Sequence, residues 1–174
     1  SRLRHRISPL PLASEPSRIF RDSKGQVWVT TRSQVFLLDR TKFTLQPVPT
    51  PPRREGRAGL IWSIAEDPKG RMWFGLSRDG VYIYDPKNGN TRILGPEDGF
   101  TALRIYKIIV DRGGRYAWIA TDGEGFYECD LATLKCRRYD DRTLEGLNSG
   151  GALVQDDAGR VWIGTTAGLI RYDP

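Results

Sequence analysis

Hydrophobic and polar residues alternate with period two in short runs along the whole chain, and glycine or proline closes most of the runs. In residues 161–165, Val161 and Ile163 flank Trp162. A small-residue turn at 165–168 leads into a second run at 169–172. Alternation of this period, bounded by glycine, marks a β-hairpin with one buried face. Before it stands Asp156-Asp157-Ala158-Gly159, where the Asp can close an Asx turn and the Gly can take positive φ. The unit occurs four times. Its tryptophan recurs at Trp28, Trp73, Trp118 and Trp162, at intervals of 45, 45 and 44 residues. Its turn aspartate recurs at Asp22, Asp67, Asp111 and Asp156, at intervals of 45, 44 and 45. Two markers keeping one period, with several short strands per unit, predict propeller blades rather than helical repeats. No stretch shows a sustained helical period.

The predicted fold is all-β: a β-propeller of four repeats, each a four-stranded antiparallel blade, in one domain. The blades span about 17–49, 59–95, 103–140 and 149–174. Their strands fall near 18–21, the Trp28 run, 34–38 and 43–48; 60–65, the Trp73 run, 81–84 and 91–94; 105–110, the Trp118 run, 125–129 and 135–139; and 151–155, 161–165 and 169–172. Consecutive prolines make 50–57 a loop, and Asn88-Gly89 marks a hairpin. The fourth repeat stops one strand short. Residues 3–7, with Leu3, His5 and Ile7 alternating against Arg4 and Arg6, read as the missing outer strand. A propeller must cover the edge between its last and first blades. Closure within one chain gives four blades, closure across two chains gives eight, and a longer parent would supply the rest. The narrow channel of a four-bladed ring tilts the expectation toward the latter two.

Composition adds little that changes this picture. The 39% hydrophobic fraction and 19 glycines suit a turn-rich β-protein. Lys and Arg number 27 against 21 Asp and Glu, a net +6, but the basic residues are scattered. A nucleic-acid surface needs them on one stripe or face, so solvated rims are expected and no nucleic acid. No apolar run approaches a membrane helix. The chain opens Ser1-Arg2-Leu3 without Met or a visible signal peptide, which reads as a mature or excised segment.

The repeat resembles the two-component regulator propeller repeat: Asp, two free positions and Gly, then Leu-Trp-Ile-Gly-Thr, a Gly-Leu pair and Tyr-Asp-Pro. Repeat four carries it almost whole, with Asp156, Gly159, Trp162-Ile163-Gly164-Thr165, Gly168-Leu169 and Tyr172-Asp173-Pro174. Repeat two keeps Trp73-Phe74-Gly75, Gly80-Val81 and Tyr84-Asp85-Pro86. Repeat three has Cys129 where the Tyr would stand, and repeat one departs most, with Trp28-Val29-Thr30-Thr31 and Ser33-Gln34. The resemblance implies a sensory, ligand-binding module: the extracytoplasmic (periplasmic or extracellular) input region of a histidine kinase or diguanylate cyclase, with saccharides among its ligands. Such proteins also carry further blades, a membrane span and an output domain.

The recurring tryptophans are expected between blades, because Trp buries a large area on a flat sheet. Trp62 lies outside the repeat register on an inner strand, where it could face the channel and stack on a sugar ring. The Asp-x-x-Gly turns carry Lys24, Lys69 and Arg112, which repel a cation, so structural turns are expected and no calcium loop. His5 is the single histidine. That leaves no triad or histidine metal cage, and it disfavours the streptogramin lyases, whose Trp-Phe repeat looks like Met72-Trp73-Phe74 but which depend on a channel histidine. No catalytic residue, metal or cofactor is expected.

Turns alternate between the two faces of a blade. One face gathers the Asp-x-x-Gly turns. The other gathers the loops after the Trp strands and the long inter-blade loops, and loops over a rigid scaffold are where binding residues concentrate. The candidate ligand residues there are Arg32, Trp62, Arg78, Asp79, Arg104, Tyr106, Asp122 and Glu124, a mixture suited to a polyhydroxyl or anionic ligand. Cys129 and Cys136 flank a six-residue connection. Opposed residues of an antiparallel pair lie within disulfide reach, and the extracytoplasmic setting implied by the resemblance favours the bridge over two free thiols. Three functions follow: a ligand-binding sensor, a protein-interaction or self-assembling ring module, and, least, a propeller lyase.

Overall fold

The computed structural model describes residues 15–32, 34–50, 60–140 and 150–173. The expected strand at 3–7 and most of the 50–57 loop lie outside these residues. Four antiparallel sheets follow one another along the chain. Blade 1 holds β1 (Arg18–Arg21), β2 (Val27–Thr30), β3 (Val35–Asp39) and β4 (Thr44–Val48). Blade 2 holds β5 (Ile61–Glu66), β6 (Met72–Leu76), β7 (Val81–Tyr84) and β8 (Thr91–Ile93). Blade 3 holds β9 (Ile105–Val110), β10 (Tyr116–Thr121), β11 (Phe126–Asp130) and β12 (Cys136–Tyr139). Blade 4 holds β13 (Gly150–Gln155), β14 (Val161–Thr165) and β15 (Gly168–Tyr172). Among the described residues a single 3-10 turn, Pro96–Asp98, lies in the connection from blade 2 to blade 3. Each sheet is a meander in chain order, as short hairpin connections require.

The turn aspartate and the tryptophan form one device. Asp22 Oδ1 accepts from the backbone N–H of Lys24 and Gln26, and its Oδ2 accepts from Trp28 Nε1 at 2.9 Å. Asp67 repeats this with Lys69, Arg71 and Trp73, and Asp156 with Ala158, Arg160 and Trp162. The glycine that ends each turn takes positive φ, 78° at Gly25, 79° at Gly70 and 85° at Gly159. In blade 3 the turn is one residue longer, so Asp111 accepts from the N–H of Arg115 and Tyr116 instead. That insertion explains why the tryptophan and aspartate intervals fall out of step.

The first strand of each blade packs on the first strand of the next, from β1 through β5 and β9 to β13. Three apolar cores fill the gaps between successive blades. Trp28, Ile61, Met72, Phe74 and Tyr82 join blades 1 and 2. Trp73, Ile83, Ile105, Ile119 and Tyr127 join blades 2 and 3. Trp118, Phe126, Tyr139, Leu153 and Ile163 join blades 3 and 4. Each tryptophan thus faces the following blade. Trp28, Trp73 and Trp118 are fully buried. Trp162, which has no following blade among the described residues, is half-buried, so the expectation of four tryptophans packed alike holds for three. Gly75 permits a close approach between blades: a Cβ there would lie 2.6 Å from Ile105 Cγ2.

Candidate functional site

The inner strands carry a repeated irregularity. In β5 the register with β6 slips between Ile61 and Ser63, which leaves Trp62 as the extra residue. In β9 the partners Ile105 and Lys107 leave Tyr106 extra. In β13, Gly150 and Ala152 leave Gly151 extra. All three are β-bulges at one place in the blade. A bulge re-aims a side chain and is common near binding sites. Here it brings the Trp62 and Tyr106 rings together across the gap between blades, stacked at 5.4 Å with 5° between their planes. Both are half-buried and present ring surface to solvent. Arg18 Nε donates to the Trp62 carbonyl at 2.8 Å, which fixes the backbone beneath the platform. Gly151, the equivalent position in blade 4, has no side chain, so the platform ends there.

Arg104 and Asp122 stand at the rim. Arg104 Nη1 donates to Asp122 Oδ2 at 3.1 Å, and the Asp122 N–H donates to the Arg104 carbonyl at 3.0 Å. Burial, and then the negative charge of Asp122, push the Tyr106 hydroxyl above its ordinary range, so it stays protonated as a donor at neutral pH. The half-exposed ion pair stabilises little and remains open to a polar ligand.

Of the eight candidate residues, four come together here: Trp62, Tyr106, Arg104 and Asp122. Glu124 instead sits between blades, 3.7 Å from Arg138 and hydrogen-bonded to Thr101. Arg138 Nε also lies 3.2 Å from Asp140, close enough to pair but not aligned as a hydrogen bond. Asp79 is buried in a separate cleft. Arg32 and Arg78 are exposed on their loops. Arg18 and Gly151 escaped the sequence reading. The double glycine 150–151 opening β13 was a signal for the second, and nothing in the sequence marked the first.

Among the described residues, no group of three His, Cys, Asp or Glu is placed to hold a metal ion. No helix there is long and apolar enough to cross a membrane. Cys129 and Cys136 pair directly across β11 and β12 and are joined as a disulfide, with Cα atoms 4.0 Å apart.

The two component regulator propeller model matches residues 56–78 and 143–167, which hold the tryptophan strands of blades 2 and 4. Two of the four repeats are thus similar to that family's repeat. Solved structures extend the likeness to the arrangement of the repeats. The extracellular domain of the hybrid two component system BT4673 of B. thetaiotaomicron superposes with a TM-score of 0.74 at 20% identity, over 91% of this chain and 23% of that one. The extracellular domain of BT3049 from the same organism gives 0.54 at 19%, over 100% and 30%. The β-propeller domain of Cps50 (Swd1) from Myceliophteria thermophila gives 0.70 at 16%, over 97% and 54%. At these identities the likeness is one of fold. The chain spans about a quarter of the two extracellular domains and about half of the Cps50 propeller. No curated protein sequence matches it.

Proposed function

We propose that these repeats form part of a non-catalytic sensory propeller. In this reading it is the periplasmic or extracellular input region of a signalling protein, and it binds a polyhydroxyl ligand, a saccharide, on the Trp62–Tyr106 platform. The observation that carries the reading is the pair of equivalent bulges that stack two half-buried aromatic rings beside the Arg104–Asp122 pair. Flat ring faces take the apolar face of a sugar, and the rim supplies hydrogen-bond donors and acceptors for its hydroxyls. The bridged Cys129–Cys136 pair suits an oxidising compartment, and two of the similar folds are extracellular domains of hybrid two component systems. Calorimetry of the chain against an oligosaccharide panel tests it. Saturable 1:1 heat that disappears in Trp62→Ala supports the platform. Flat traces from the folded protein across the panel overturn it.

A second reading concerns assembly, and the open face of blade 4 favours it. Val154 and Leu169 are 58% and 68% exposed there, beside half-buried Trp162. The Cps50 propeller domain, similar in fold and about twice as long, supports a ring with further blades. The missing half would come from a second copy or from further blades of the parent chain. Light scattering separates the cases: the chain mass is 19.7 kDa, and twice that value supports pairing of two copies.

A further inference from the structure

A cleft of about 170 Å³ lies between the loop joining β6 to β7 and the connection that leads to β9. Its wall is largely apolar, with Ile93, Leu94, Phe100 and Leu103, and Asp79 closes one side. Asp79 is only 6% exposed. Among the described residues its carboxylate has neither a hydrogen-bond donor nor a cation. Its oxygens are not sealed off, so the carboxylate meets the water of the cleft and no protein partner.

Blade 3 shows what that partner would be. Glu124 occupies the corresponding place before the Gly125-Phe126 pair, as Asp79 does before Gly80-Val81. Glu124 has Arg138 within 3.7 Å. Arg138 stands opposite Tyr127, and Ile93 stands opposite Tyr82 in the same register. Blade 2 therefore keeps the anion and replaces its cation with an isoleucine. Arg78, next in the chain, is exposed on its loop, and Arg92 and Arg104 are engaged with Asp98 at 2.5 Å and with Asp122.

We propose that the Asp79 cleft is a binding site for a small organic cation, a primary ammonium on a short apolar stem. The ammonium donates to the Asp79 carboxylate in a charge-assisted hydrogen bond. The stem lies against Ile93, Leu94, Phe100 and Leu103. At about 30 Å³ per water-sized group, the cleft holds about five or six such groups. It shares no residue with the Trp62–Tyr106 platform, so the two sites stand or fall separately.

The probe is n-butylammonium, with 1-butanol as its neutral counterpart, titrated into the whole chain and followed by amide chemical shifts. The expected result is saturable binding of the ammonium, at least tenfold tighter than of the alcohol, with shifts centred on Asp79, Leu94 and Phe100. Asp79→Asn weakens it at least tenfold, while its thermal midpoint stays level, because the carboxylate has no protein partner to lose. Ile93→Arg rebuilds the blade 3 pair, abolishes binding and raises the midpoint. Trp62→Ala leaves ammonium binding intact. Equal affinity for alcohol and ammonium, undiminished binding by Asp79→Asn, or absence of saturation would each overturn the proposal.

Discussion

Blades 3 and 4 are the same repeat in two different situations. Blade 3 has four strands, a disulfide between its two outer strands, and neighbours on both faces. Blade 4 has three strands among the described residues and one covered face. Both present a tryptophan at the same place. Trp118 is 0% exposed against blade 4, whereas Trp162 is half-buried. The difference teaches that the repeat motif encodes a blade with one projecting face, and that the next blade must supply the burial that stabilises it.

The largest expected effect tests that division directly. Trp118→Ala opens a cavity in a filled interface and costs about 3–5 kcal/mol. Trp162→Ala, on the open face, costs about 1 kcal/mol. Urea unfolding of both variants measures the contrast, and equal losses would mean that blade 4 is as well packed as blade 3.

The disulfide sharpens the comparison from the other side, since blade 4 contains no cysteine. The two cysteines are seven residues apart in sequence, and closing so short a loop stabilises by about 2.5 kcal/mol through the entropy of the unfolded chain. Reduction should lower the urea midpoint by a corresponding amount. Thiol titration of the unfolded, unreduced chain should find no free thiol, and two reactive thiols would remove this distinction between the blades.

The smallest effect lies at the turn of blade 4. The Trp162 indole N–H, and then Arg160, hold the Asp156 carboxyl at about 2 against the opposing effect of burial. A depressed folded value gives stability that is present above the unfolded pKa, ~3.9, and is lost as pH falls toward 2. Thermal midpoints measured across pH 4 to 2, a window of about two units, should therefore fall for the wild type and fall less for Asp156→Asn. Asp39 and Asp130, which accept turn N–H bonds, also titrate low and leave a residual slope. An unchanged profile in Asp156→Asn would show that the Asp156–Trp162 bond contributes nothing in this open blade.

Most strands were legible within one or two residues, as with the expected run at 125–129 and the observed Phe126–Asp130, because period-two alternation records which side chains face a core. The six-residue spacing of Asp22 to Trp28 was visible, but its meaning was not: a carboxylate joined to an indole appears only when the turn is folded. The candidate site divided for the same reason. Trp62 stood out as off-register, yet the bulges that pair it with Tyr106 are defined by the opposite strand. Asp79 and Glu124 looked alike, and only the residue across the sheet, Ile93 or Arg138, tells them apart.

The sequence by itself determined the repeat, the number of repeats along the chain, the order of strands and the turn chemistry, since these depend on residues within a few positions of one another. Tertiary structure decided which tryptophan is buried, where the two aromatic rings stack and which buried acid lacks a cation. The first two depend on contacts between residues about one repeat apart and the third on the residue across the sheet, and an alternating local pattern is the same whether or not such a neighbour is present.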